Sequence, residues 1–112
     1  MEKDADKMRM NSFEENRFQT NSEFQWCVNN GGEVEFEWKG NVYGIVHPND
    51  RILIGIGYYE RDGKYYNLNT DKEHTEEDEL WGDTADDILE FDVGGDKLRD
   101  VITQVKVWSR SI

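Results

Sequence analysis

The side chains in this chain able to do chemistry are two histidines, one cysteine and a large excess of carboxylates. His47 and His74 are far apart, and neither has a neighbour at the spacing of a metal-ligand pair. His47 precedes a proline and reads as a strand-end residue. Cys27 stands beside Val28 on what reads as the apolar face of a helix, where a thiol is buried and inert rather than nucleophilic. Being alone, it excludes an intramolecular disulfide and a four-cysteine zinc site. Paired carboxylates do acid–base work only in a cleft that separates their pKa values, and a run such as Glu76-Glu77-Asp78-Glu79 reads as solvated. The calcium-loop pattern of alternating acids around a central glycine is absent. Gly31-Gly32 and Gly94-Gly95 lack the Lys-Ser/Thr of a phosphate loop, and Gly55-Ile56-Gly57 lies inside a strand pattern. The expectation is a protein with no catalytic residues, no metal and no cofactor.

What remains is the placement of charge. The chain carries a net −12, and residues 71–100 alone hold 13 acids against 3 bases. Such a field repels nucleic acid and acidic membranes and steers basic partners. In GGEVEFEWKG, Glu33, Glu35 and Glu37 alternate with Val34, Phe36 and Trp38. On a strand the three carboxylates form a line with steps of about 6.8 Å. The acidic run Glu76, Glu77, Asp78 and Glu79 and the helix start Asp83, Asp86 and Asp87 would enlarge that surface, with Trp81 as an apolar anchor. The plainer readings are a solvated sheet face for the glutamates, a helix–sheet seal for Trp81, and solubility for the net charge.

The elements that must position these residues follow from periodicity and turn chemistry. Ser22 and Gln25 have capping-box spacing, Phe24, Cys27 and Val28 share one helical face, and Gly31 supplies a left-handed stop, so a short helix is predicted over about 23–30. A two-residue Lys39-Gly40 loop would set Phe36 opposite Tyr43 and Val34 opposite Ile45. A turn at Pro48-Asn49 would pair Ile45 with Ile52 and Tyr43 with Ile54. Two loops fit the third turn. Asp62-Gly63 alone sets Tyr58 opposite Asn67, whereas Arg61-Asp62-Gly63 sets it opposite Tyr66 and keeps the inner face (Ile52, Ile54, Ile56, Tyr58) apolar, so the longer loop is preferred. Gly55 and Gly57 weaken a strand interior and suggest a bend or a close backbone approach. Residues 71–79 read as a loop. Thr84 with Asp87 caps a short helix bearing Ile88 and Leu89, Asp96 is the candidate cap of a second, and Val105 and Val107 alternate along a last strand that joins the sheet. The fold class is therefore α+β: an antiparallel four- to five-stranded meander with a short N-terminal helix and two short helices before the last strand.

At 112 residues the chain is one domain, and its four Trp, five Tyr and five Phe can supply core area that few aliphatics would not. Residues 1–20 carry mixed charges and read as a mobile or marginally helical segment, leaving 21–112 as the α+β domain. The charged opening MEKDADKMRM is not a secretory signal, and no window is apolar enough for a membrane helix, so a cytoplasmic protein is expected.

Over residues 22–108, the segments GGEVEFEWKGNVYGI, DTADDILEF and VGGDKLRDVITQVKV resemble a loose pattern of small proteins from Gram-positive bacteria and their mobile elements. In that pattern Phe36, Tyr43, Leu89, Leu98 and Val105 would be core. In size, charge and character the chain also resembles the anti-CRISPR inhibitors of phages. That resemblance implies a non-enzymatic inhibitor that covers the guide-RNA or DNA site of a type II CRISPR nuclease. The alternatives are an immunity or binding module for another basic protein, such as a nuclease toxin, and a domain whose charge serves solubility only.

Overall fold

A computed structural model describes residues 14–112. The expected α+β class is observed. Helix α1 (Asn21–Asn29) leads into β1 (Val34–Trp38), β2 (Asn41–Val46) and β3 (Ile52–Ile56). A separate hairpin of β4 (Tyr58–Arg61) and β5 (Lys64–Asn67) follows. Then come β6 (Glu79–Gly82), α2 (Ala85–Ile88), α3 (Leu98–Val101) and β7 (Lys106–Arg110). Five strands form one antiparallel sheet in the order β6-β3-β2-β1-β7.

The local rules of the sequence explain most of these elements. The C-terminus of α1 closes as expected at Gly31, whose φ is +88°. The Gly32 N–H donates to Cys27 C=O and the Gly31 N–H to Val28 C=O, so two carbonyls the helix leaves orphaned are paired. Its start lies two residues earlier than the Ser22–Gln25 spacing suggests. Thr20 is the N-cap, and its hydroxyl accepts the Glu23 N–H at 3.0 Å. Thr84 and Asp87 form the predicted reciprocal capping box at α2. Asp96 is not a cap. Lys97 occupies that position in α3, while the Asp96 carboxylate accepts Trp38 Nε1 at 2.9 Å and Lys39 Nζ at 3.0 Å and ties this loop to the first hairpin.

Strand register was legible in parity and partly wrong in detail. Lys39 (φ 51°) and Gly40 (φ 83°) make the expected two-residue turn, with Phe36 opposite Tyr43 and Val34 opposite Ile45. The next turn slips by two residues. Asn49 and Asp50 both adopt left-handed φ, the reversal widens, and Ile45 faces Ile54 while Tyr43 faces Ile56. A slip of two keeps every side chain on its face. At the third turn the shorter loop is the observed one, with Asp62 (φ 55°) and Gly63 (φ 80°) at its corners and Tyr58 opposite Asn67. The preference for an apolar inner face misled there because β4–β5 is not part of the main sheet. Tyr58 is exposed, and the buried Asn67 is satisfied by the N–H groups of Asn69 and Thr70.

The chain leaves the sheet at Gly57, and β6 takes the edge beside β3. A Cβ on Gly55 would stand 3.2 Å from Asp78 C=O, which is the close backbone approach its position suggested. The segment read as a loop thus ends in a 3₁₀ turn (Glu76–Asp78) and a strand too short to show periodicity.

One face of the sheet carries the core. Phe36, Tyr43, Ile45, Ile54 and Val107 are buried against Phe24, Val28, Ile88, Leu89, Leu98 and Ile102. Phe18 is also fully buried, edge-on to Phe24 with ring centroids 5.2 Å apart and with the Arg110 guanidinium 4.3 Å from its ring centre. Of the segment 1–20, read as mobile or marginally helical, residues 14–16 are helical and Phe18 is packed, so the core takes in residues before 21. The remainder of that reading, residues 1–13, lies outside the described residues.

Candidate functional site

Helices α1, α2 and α3 pack on the core side, which leaves the opposite sheet face open among the described residues. In an antiparallel sheet with one wet face, outward positions are ordinarily polar. Here the two central strands break that rule. The outward residues of β2 are Val42, Gly44 and Val46, and β3 presents Leu53 and Gly55, followed by Gly57 where the chain leaves the strand. None has a polar side chain, and Val46 is 42% exposed.

The register builds these positions into a groove. One line across the sheet runs Ser109–Glu35–Gly44–Gly55–Glu79. A second, one side-chain step away, runs Val46–Leu53–Trp81. On the other side the β4–β5 hairpin folds against the face. The Leu68 side chain lies over Gly57, and Asn69 Oδ1 accepts the Val42 N–H at 3.0 Å. The result is a groove of about 410 Å³ with a two-glycine floor. Val46 and Leu53 form one wall, and Leu68, Tyr58 and His74 the other, with Glu33, Glu35 and Glu79 at the rim.

The residues expected to form one acidic surface are divided by the structure. Glu33 and Glu35 are exposed, line the groove and have no ion-pair partner among the described residues. Glu37 shares their face, but its carboxylate accepts Trp108 Nε1 at 3.2 Å and it sits opposite Lys106. Glu79 lines the far end, with Oε2 3.3 Å from His74 Nε2. Glu76 and Glu77 are exposed on the 3₁₀ turn that leads into β6. Asp78 is turned to its own capping box, where it accepts the Thr75 N–H.

Asp83, Asp86 and Asp87 do not extend the surface. Asp83 pairs with Arg51 at 3.2 Å and Asp86 with Arg99 at 3.1 Å. Asp87 accepts the N–H groups of Asp83 and Thr84, and these hold its carboxyl below the ordinary carboxylate value. Their clustering at a helix start was real, but it serves the helix and two arginines. Trp81 is placed by strand parity. Leu80 packs on the core and Gly82 is buried against α2, so Trp81 points to the open face, 39% exposed, with the Arg51 guanidinium 5.5 Å from its ring centre. It does not seal helix against sheet.

The remaining reactive side chains are committed to structure. His47 Nε2 lies 2.8 Å from Gly32 C=O. The Cys27 thiol is buried, and burial raises its pKa despite Arg110 nearby. Among the described residues no group of three or more His, Cys, Asp or Glu could hold a metal ion, and no helix is long and apolar enough to cross a membrane.

The groove residues Val42, Gly44, Val46, Leu53 and Leu68 were missing from the sequence-based site. For all but Leu68, the signal was present in the outward parity of β2 and β3, which is apolar throughout. What was not readable was that Glu79, on a strand remote in sequence, closes the same line as Glu35. No protein-family model, curated protein or solved structure matches the chain.

Proposed function

We propose that this protein acts by binding, engaging a basic protein through the open face of its sheet. The observation that supports this reading most is an apolar groove, uncovered among the described residues, with the rim carboxylates Glu33 and Glu35 unpaired among those residues. Scattered exposed apolar residues are ordinary, but a contiguous apolar face rimmed by polar groups marks an interaction surface. The carboxylates select a cationic partner, since arginines that bind phosphates also bind carboxylates. In its most specific form the proposal is an acidic inhibitor that occupies the guide-RNA or DNA site of a type II CRISPR nuclease.

The test adds purified protein to such a nuclease before and after guide loading and follows cleavage and RNA binding at two salt concentrations. Inhibition only before loading supports occupation of the guide channel, and inhibition after loading supports the DNA path or a catalytic domain. The double charge reversal Glu33→Lys with Glu35→Lys should abolish either effect. These two positions are chosen because Glu37 and Asp78 hold structural hydrogen bonds, so reversing them would confuse folding with binding. Absence of inhibition across several nucleases removes the CRISPR form. Binding to a basic nuclease toxin that is lost on the same reversal would then identify an immunity module.

A further inference from the structure

The groove's geometry specifies what kind of basic segment it takes. Glu35 and Glu79 end a line of four residues on four adjacent strands, with Gly44 and Gly55 between them. Adjacent strands are about 4.8 Å apart, so the two glutamate backbones are about 14 Å apart across the sheet. An extended peptide advances about 3.4 Å per residue and points every second side chain the same way. Positions i and i+4 of such a peptide are therefore also about 14 Å apart, with i+2 directed at the midpoint. That midpoint is the glycine floor between the Val46–Leu53 wall and Leu68.

We infer that the groove binds an extended segment of a partner protein lying across the strands, with Lys or Arg at i and i+4 and an aliphatic side chain at i+2. The basic groups meet Glu35 and Glu79, and the aliphatic side chain fills the space that two missing side chains leave. The inference rests on the proposed binding role of this face and adds a spacing and an orientation to it. Charge complementarity identifies the occupant, because the rim carboxylates Glu33 and Glu35 are unpaired among the described residues and Val46, Leu53 and Leu68 supply apolar wall surface. Glu79 also faces His74, which leaves it the weaker of the two anchors.

Gly44 provides a test that separates the groove from the charge around it. Its φ is not left-handed, and an added Cβ would meet only Val34 C=O at 3.9 Å, an ordinary contact. Gly44→Val therefore fills the floor without straining the backbone or changing any charge. Fluorescein-labelled synthetic peptides containing Arg-Ala-Leu-Ala-Arg would be titrated with the full chain and followed by anisotropy. Controls carry the same residues with the arginines three or six positions apart, or with Leu replaced by Ser. The matched peptide is expected to bind at least tenfold more tightly than each control, and Gly44→Val to remove that advantage with thermal unfolding unimpaired. Glu35→Gln should weaken the matched peptide more than Glu79→Gln does.

If all spacings bind alike, Gly44→Val changes nothing, and Glu33→Lys with Glu35→Lys still abolishes binding, the spacing rule is overturned while the general acidic face survives. If the matched peptide does not bind at millimolar concentration, the inference fails. If basic proteins then also fail to bind in the salt-dependent assay, the functional reading fails with it.

Discussion

Phe18 carries more of the fold than its place in a polar, charged segment suggests. It is fully buried, contacts Phe24 and lies under the Arg110 guanidinium. Phe18→Ala should cost about 3–5 kcal/mol, from lost burial and the cavity left behind. Urea unfolding would measure this, and a loss below 1 kcal/mol would mean the residue is peripheral. The acidic residues act at this scale too. The Asp87, Glu90 and Asp96 carboxyls are held below their ordinary values, Asp87 by backbone N–H groups, Glu90 by Lys97 and Arg99, and Asp96 by Trp38 and Lys39. A depressed folded-state pKa contributes stability that is complete above the unfolded value, about 4, and is lost as pH falls through the lower folded value. Stability should therefore decline on acidification below about pH 4. Asp96→Asn should be less stable than wild type at neutral pH, with the gap narrowing in acid. Urea midpoints from neutral pH to pH 3 check the sign, and a gap that widens in acid would refute it.

At the scale of elements, the main sheet and the β4–β5 hairpin have different support. The sheet is backed by helices, whereas among the described residues the two-stranded hairpin is held by Leu68 and Asn69 against the sheet and by hydrogen bonds between β5 and residues 72–74. Hydrogen exchange should accordingly be faster for amides of 58–67 than for those of β2 and β3, and equal protection would show the hairpin to be part of the core unit. The central strands carry the opposite signature. A strand-interior glycine is about 0.5–1 kcal/mol less stable than alanine would be, so Gly44→Val should raise the unfolding midpoint. A fall would mean that the backbone there needs glycine for its conformation rather than for the groove. Both outcomes can be read from the same thermal melts used to qualify the binding variant.

For the whole molecule, the relevant quantity is where the charge is free rather than its total. Much of the acidity of 71–100 is internally consumed: Asp83, Asp86 and Glu90 pair with Arg51, Arg99 and Lys97, and Asp78 and Asp87 cap short helices. Among the described residues, Glu33 and Glu35 at the groove rim and Glu76 and Glu77 on the 3₁₀ turn beside β6 have no ion pair. Binding of a basic partner should weaken as salt rises through the range where the screening length drops below about 10 Å. Titrations of the matched peptide at low and high ionic strength would measure it. The part of the affinity held by the apolar walls should persist at high salt, and complete loss there would assign the interaction to charge alone.

Sequence alone determined what local physics controls. The inward and outward faces of β1, β2 and β3 were readable because side chains alternate with period two, and even a two-residue slip at Pro48 left those faces unchanged. The Lys39-Gly40 turn, the Gly31 stop and the Thr84–Asp87 box were readable because each is satisfied within a few residues. Only the tertiary structure decided that β6 pairs with β3 and that β4–β5 departs from the sheet. It also decided that Trp81 faces outward, and that Glu35, Gly44, Gly55 and Glu79 share one line. Cross-strand neighbours are chosen by packing among segments distant in the chain. A run of acids looks the same in sequence whether its charges meet arginines, cap a helix or remain free at a groove.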